Sequence, residues 1–188
     1  MNKRAFAPAL ATLVVITFVA PRIHAAGATT STAAEYAQTF CTKLGTWQKD
    51  ISDGEQAVQS DLDNASSVAD IKKTFVQFLD DAVSSGKGVV AALKSAGSPD
   101  VKDGAVIATA VRSAFGGIVT VFDHARSDAK KLSPTSQAKF TTGVKKIQTT
   151  LATASTQFTK QFSALSKKYE TTELDAAFNA EPSCSALA

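Results

Sequence analysis

Few side chains in this chain of 188 residues could do chemistry, since it has two cysteines and two histidines. Cys41 and Cys184 lack the C-x-x-C spacing of a redox pair and have no neighbouring base, which argues against a reactive thiol. In an exported protein, two cysteines most often form a disulfide bond. We therefore predict a structural disulfide between Cys41 and Cys184, which would join an early part of the fold to its C-terminal tail.

The histidines and carboxylates form no catalytic or metal-binding motif. His24 lies in an N-terminal targeting segment, and His124 lies on the polar side of a predicted helix, where one imidazole with carboxylates makes a poor metal site. The sequence signatures of haem attachment, di-iron bundles, phosphate-binding loops and serine hydrolases are missing. We therefore expect no catalytic residue, no metal and no cofactor, and an enzyme ranks third among our functional hypotheses.

The first 25 residues have the pattern of a secretory signal peptide. Lys3 and Arg4 precede an apolar run over residues 5–20, and small residues follow it. The run is shorter than the roughly 20 residues that a membrane-spanning helix needs. We predict that the protein is secreted after cleavage near Ala25, with residues 26–31 as a flexible spacer. The alternative is an uncleaved membrane anchor.

Removal of the signal peptide changes the charge of the protein. The whole chain has 20 basic and 17 acidic residues. The first 25 residues contain three basic residues and no acid, so the mature chain has 17 of each and a formal net charge of zero. A strongly basic surface is the usual basis of nucleic-acid binding. We therefore expect no nucleic-acid partner.

Four apolar patterns follow the spacer, and each is preceded by a helix-start signal. Apolar residues recur three and four positions apart, which is the spacing of one face of a helix. Thr32 and Ser67 are each followed three residues later by an acid, as in helix caps, and Pro99 and Pro134 each follow a serine. Gly54 marks a candidate break in the first pattern. The predicted caps are Thr32, Ser67, Ser98 and Ser133.

The connections between these patterns are short, which places consecutive helices antiparallel to one another. No segment shows sustained two-residue alternation, so we predict no sheet. Thr172 is the predicted cap of a short C-terminal helix. The sequence therefore predicts an all-α fold, an up-down-up-down four-helix bundle with long helices and a short C-terminal helix or tail, over residues 32–188 as a single domain. The alternative is one long coiled-coil hairpin.

Small residues within the predicted helices suggest a place for an apolar ligand. Gly86 interrupts the second apolar pattern, and Gly116 follows Phe115 midway along the third. The interpretation we favour is that Trp47 or a phenylalanine fills the space beside the glycines. The alternative is an apolar cavity that takes a lipid-like molecule. The candidate pocket comprises Trp47, Gly86, Phe115 and Gly116.

The last long helix carries six lysines and no acid, whereas the first has a net charge of −4. The lysines could form a stripe that binds an anionic polymer or lipid headgroups. The interpretation we favour is that acids of the first helix neutralise them, because these two helices are neighbours in a simple bundle. The candidate stripe comprises Lys139, Lys145, Lys146 and Lys160. The acids expected near it are Asp50, Asp53, Asp61 and Asp63.

Aromatic residues and the two cysteines lie at both ends of the predicted mature chain. They are Tyr36, Phe40, Cys41 and Trp47 near its start, and Ala176, Ala177, Phe178, Pro182 and Cys184 near its end. In these positions the chain resembles uncharacterised secreted all-helical proteins of actinomycetes. The resemblance implies a secreted helical bundle closed by a disulfide, and it supplies no activity.

These patterns predict a secreted, non-enzymatic helical bundle that acts as a binding or interaction module at or outside the cell envelope. Its partner would be a protein or an envelope component, with lipid and anionic polymer among the candidates. The alternative function is a carrier of an apolar small molecule or lipid in the bundle core. A bundle that opens and spreads on membranes is disfavoured by a disulfide across its ends.

Overall fold

The computed structural model describes residues 29–64 and 67–185, which are folded almost entirely into helices. The predicted signal peptide and residues 26–28 of the predicted spacer lie outside the described residues. The long helices are α1 (Ala33–Asp63), α2 (Val68–Ala96), α3 (Gly104–Lys131) and α4 (Gln137–Lys168). The short helices are α5 (Thr172–Ala180) and α6 (Pro182–Ser185). The short C-terminal helix exists, but its predicted cap is wrong by one residue, since Thr172 is the first helical residue and Thr171 is in the cap position.

The four long helices form the predicted up-down-up-down bundle, and the all-α fold class is confirmed. Each packs against the next in chain order, α1 on α2, α2 on α3 and α3 on α4. The core is densest around α3, whose buried residues run from Gly104 to Ala129. α3 is long and apolar enough to span a bilayer by composition, with a mean hydropathy of 1.7 over its most apolar window. In this fold the apolar residues of α3 are packed in the core of the bundle.

The first two helices begin at the predicted caps. The Thr32 hydroxyl accepts a hydrogen bond from the Glu35 amide at 3.2 Å, and the Glu35 carboxylate accepts one from the Thr32 amide at 2.9 Å. The bonds from Thr32 lower the pKa of Glu35 below its usual value. The Ser67 hydroxyl likewise accepts from the Asp70 amide at 3.2 Å. These caps are confirmed because each depends on residues only three positions apart.

Gly54 does not break α1, which is continuous from Ala33 to Asp63. The ring of Phe78 on α2 occupies the space that a Cβ at this position would need. The glycine therefore lets the two helices approach each other closely, at the expense of some intrinsic helix propensity.

The predicted start of the third helix is wrong. Gly97 ends α2 with a φ of 75°, but the next two residues form a short strand, β2 (Ser98–Pro99), and α3 begins only at Gly104. β2 pairs in parallel with β1 (Thr30–Ser31), so a two-residue pairing exists where no sheet was predicted. Residues from the predicted flexible spacer thus supply the hydrogen-bond partners that hold this connection in an extended form.

The predicted start of the fourth helix is also wrong. Pro134 lies in the connection after α3, and the cap of α4 is Ser136, whose hydroxyl accepts from the Lys139 amide at 3.4 Å. The Ser133 hydroxyl instead forms a hydrogen bond with the Thr135 hydroxyl at 2.8 Å. The serine–proline pairs mark the ends of helices correctly and place the next helix a few residues too early.

Cys41 of α1 and Cys184 of α6 form the predicted disulfide, with their Cα atoms 4.9 Å apart. α5 and α6 fold back against α1, so the tail packs on the first helix. Leu174 is buried, and the ring of Phe178 meets that of Phe40 edge-on, with centroids 5.2 Å apart. The bond therefore reinforces an apolar contact between the two ends of the folded chain.

Candidate functional site

The four residues of the predicted pocket do not lie together around a cavity. A Cβ at Gly86 would lie 2.7 Å from Val119 Cγ2 and 3.2 Å from the Trp47 indole nitrogen. The space beside this glycine, which we call the notch at Gly86, is therefore already filled by these two side chains. That nitrogen donates a hydrogen bond to the Ala82 carbonyl at 2.9 Å. Gly116 is half-buried, and apart from the adjacent backbone of its own helix and its chain neighbours, no atom of the described residues lies within 4 Å of its Cβ position. Trp47 thus fills the space at Gly86, while Gly116 lies apart.

Phe115 is the centre of an aromatic cluster that joins three helices. Its side chain is fully buried on α3. The ring centroids of Phe40 and Trp47 on α1 lie 5.6 and 5.9 Å from its own. Those of Phe158 and Phe162 on α4 lie 4.9 and 5.9 Å away. All four contacts have the edge-on geometry that aromatic pairs favour. This cluster closes α4 onto α1 at the end of the bundle that contains the disulfide.

Next to this cluster an apolar groove of about 740 Å³ lies between α1 and α4, and Trp47 and Phe158 belong to both the cluster and the groove. We call it the α1–α4 groove. The backbones of these two helices make few close approaches within the described residues, because α4 packs mainly on α3. Apolar side chains of all four helices form the interior of the groove. They are Leu44, Trp47, Ile51 and Val58 of α1, Phe75 and Phe78 of α2, Ile118 and Phe122 of α3, and Leu151 and Phe158 of α4.

Polar side chains form the two edges of the α1–α4 groove. They are Gln48, Glu55 and Gln59 on α1, and Gln148, Ser155 and Thr159 on α4. Within each set the residues are seven and four positions apart, so each set follows one line along its helix. Ala152 lies between Gln148 and Ser155 on α4, and its small side chain leaves the opening of the groove wide at that position. An apolar interior with a few polar groups at the opening is the usual form of a small-molecule site.

Sequence reasoning found Trp47 as a pocket residue but missed the rest of the groove. The signal for its edges was present, since two polar lines with the same seven-and-four spacing border the apolar patterns of the first and fourth helices. The sequence contained no signal that these two helices stand apart, because that separation depends on how all four helices pack.

The groove contains no catalytic arrangement. Glu55 is the one charged residue among those lining it, and no base–nucleophile pair occurs in the lining. In the part of the chain that the structure describes, no three His, Cys, Asp or Glu side chains are grouped to hold a metal ion. His124 is exposed on α3, as predicted. The lining can therefore hold an apolar molecule, with hydrogen-bonding groups at the edges.

The α4 lysines are not paired with the acids of α1. None of the ion pairs among the described residues includes a lysine of α4. Asp53 pairs with Lys49 of its own helix, and Asp61 accepts a hydrogen bond from Thr74 of α2. Asp50 lies in a shallow depression on the α1–α2 side of the bundle. The expected neutralisation is therefore not observed, because the groove separates α1 from α4 and these acids lie towards α2.

Comparison with protein-family models, curated proteins and solved structures finds no match to this chain. The resemblance to secreted actinomycete proteins therefore stays a prediction. The groove and the charge distribution are the observations from which a function can be inferred.

Proposed function

We propose that this protein is a secreted, non-catalytic binding protein and that it carries an elongated apolar ligand, such as a lipid acyl chain, in the α1–α4 groove. The observation that supports the proposal is the open apolar interior of the groove. Eleven apolar residues from four helices line it, with Ala152 at its α4 edge, and the polar groups lie along its edges. This makes the carrier hypothesis more specific than that of a general interaction module.

The dimensions of the groove suit a single chain. Its volume of about 740 Å³ lies within the range of about 300–1,000 Å³ that is usual for small-molecule sites. It extends along α1 from Leu44 to Gln59, which corresponds to about 22 Å of helix. An elongated apolar site of this kind favours an extended acyl chain over a compact ring system.

The expected affinity follows from the apolar surface that the ligand loses to the groove. Burying about fifteen methylene groups contributes about 12 kcal/mol. The loss of translational and rotational freedom removes at least about 4 kcal/mol of this. The remainder is at most about 8 kcal/mol, which corresponds to a dissociation constant of about 1 μM at the tightest.

Trp47 provides a direct assay, because it lines the groove and is the single tryptophan of the chain. Titration of the mature protein with palmitate, below the concentration at which the fatty acid forms micelles, should shift the emission of Trp47 to saturation. Native mass spectrometry should show one added palmitate. The absence of both signals would contradict the proposal.

A pair of matched variants tests whether the ligand occupies the groove. Ala152 and Ala164 are both exposed on α4, but only the former lines the groove. Ala152→Phe should narrow the opening and weaken palmitate binding by at least about tenfold, or 1.4 kcal/mol. Ala164→Phe makes the same change to the helix and should bind as the unmodified protein does. Equal affinities in the two variants would place the ligand elsewhere.

Secretion is supported by the disulfide, since such bonds persist in oxidising compartments. Immunoblotting of culture fluid and cell fractions from the host should find the protein outside the cytoplasm. Sequencing of its N-terminus should find a start near residue 26. A full-length chain retained in the membrane would favour the uncleaved anchor, and a cytoplasmic chain would contradict secretion.

A further inference from the structure

Six lysines lie along one side of α4, in two groups of three that are separated by about 21 Å between Lys146 and Lys160. We call this side the lysine face, and it comprises Lys139, Lys145, Lys146, Lys160, Lys167 and Lys168. All six are exposed, and no acid occurs between Gln137 and Lys168. With 3.6 residues per turn they fall within an arc of about 140°, and with a rise of 1.5 Å per residue they extend over about 44 Å. The centre of this arc is opposite the side of α4 that packs on the bundle.

The other residues of the lysine face add no negative charge. Thr142, Thr149, Thr153 and Thr156 lie between the lysines along the helix, and each hydroxyl donates a hydrogen bond to the carbonyl four residues earlier. Among the described residues, no ion pair uses a lysine of α4. The mature chain has no net charge, so the lysine face is local and is balanced by acids on other parts of the surface.

From these observations we propose that the lysine face docks on the surface of an anionic lipid bilayer. A basic face that extends along a helix of 32 residues can lie along a flat array of negative headgroups, to which each nearby basic residue contributes about fivefold in affinity. The one strongly exposed large apolar residue in the described part of the chain is Val106, on α3. Binding should therefore depend on charge and not on insertion of apolar side chains.

The position of the groove favours a bilayer over a soluble anionic polymer. Lys145 is seven residues before Ala152, so it lies almost directly above that residue on the same edge of α4. Ala152 lines the groove. The α4 edge of the groove is turned by about 120° around the helix from the centre of the lysine face. A bilayer docked on that face would therefore meet the groove at the Lys145 side of its opening, from which an acyl chain could enter. This choice of partner rests on the proposed function, whereas the docking itself does not need a filled groove.

The test is sedimentation of the protein with vesicles of phosphatidylcholine, with and without phosphatidylglycerol, at low and at high salt. The first variant is K139Q/K145Q/K146Q/K160Q, which removes four charges from the lysine face. The matched control is K43Q/K73Q/K87Q/K94Q, which removes four charges from exposed lysines of α1 and α2. Both variants have the same net charge, and thermal melting followed by circular dichroism verifies that each is folded.

We expect the unmodified protein to bind the vesicles that contain phosphatidylglycerol and to dissociate at high salt, where charges are screened. The variant of the lysine face should bind these vesicles more than about 100-fold more weakly, while the affinity of the control variant should fall far less. Equal losses in the two variants, binding that is insensitive to salt, or no binding would overturn the proposal. Tighter binding to soluble polyphosphate than to vesicles would overturn the choice of a bilayer.

The palmitate titration and the vesicle assay can fail separately. Vesicle binding through the lysine face without palmitate binding would leave the docking surface intact and contradict the carrier function. Palmitate binding without vesicle binding would support the carrier function and contradict docking through the lysine face.

Discussion

Replacing Phe115 by alanine should loosen α4 from the bundle before the rest of the protein unfolds. The side chain is completely buried, and two of its four aromatic neighbours, Phe158 and Phe162, belong to α4. The buried residues of α4 are Phe140 and Ile147, both in its first half. The second half is held by partly buried side chains, Phe158, Phe162 and Leu165, and the two rings rest on Phe115.

The magnitude follows from the cavity that the substitution would leave. Truncation of a buried phenylalanine to alanine costs about 3–5 kcal/mol. We expect the upper part of this range, about 4–5 kcal/mol, because the space would be bordered by four rings that cannot all move into it. Small domains have about 5–15 kcal/mol of stability. The variant should therefore fold but be marginal.

The matched control is Phe75→Ala on α2. Phe75 is also buried, but its single ring neighbour among the described residues is Phe78 of the same helix, with centroids 6.3 Å apart, and none of its ring contacts there is with α4. Urea unfolding followed by circular dichroism measures the free energy, and hydrogen exchange with mass spectrometry measures protection helix by helix. In Phe115→Ala the second half of α4 should lose more protection than α2, whereas Phe75→Ala should not show this difference. A loss of stability below about 1 kcal/mol, or equal loss of protection in both helices, would refute the reasoning.

Four further variants test the helix packing, the buried phenol of Tyr36 and the disulfide. Gly86→Ala should destabilise by about 1–3 kcal/mol through overpacking, whereas Gly116→Ala should stabilise by about 0.5–1 kcal/mol through helix propensity; the same sign in both, measured by urea unfolding, would contradict this account. Burial raises the pKa of Tyr36 from its ordinary value of 10 to about 12. The neutral phenol is therefore favoured in the folded state, and stability that is present below pH 10 is lost as the pH rises towards 12. Tyr36→Phe should lack that loss in unfolding measurements over this range. Replacing Cys41 and Cys184 by serine opens a loop with a sequence separation of 143 and should cost up to about 5 kcal/mol in the chain-entropy model. An unchanged unfolding midpoint in this variant would contradict a stabilising contribution of the disulfide.

Much of the fold could be predicted because its signals are local. The caps at Thr32 and Ser67 use hydrogen bonds over three residues, and the helix faces repeat every three or four. The pairing of Cys41 with Cys184 followed from there being two cysteines. Where a local signal competed with a distant partner, the prediction was wrong. Ser98 was predicted to cap a helix, but its amide bonds to the Thr29 carbonyl at 3.0 Å, almost seventy positions earlier in the chain.

The candidate site depended on the tertiary structure. The sequence determined which residues of α1 and α4 are apolar and that α4 is rich in lysine. It did not determine that the two helices stand apart, that Trp47 fills the notch at Gly86, or that Asp61 bonds to Thr74 and not to a lysine of α4. The distance between two helices that are not consecutive depends on the volumes and angles of all the side chains packed among the four helices. That is a property of the assembled bundle, and no short stretch of sequence specifies it.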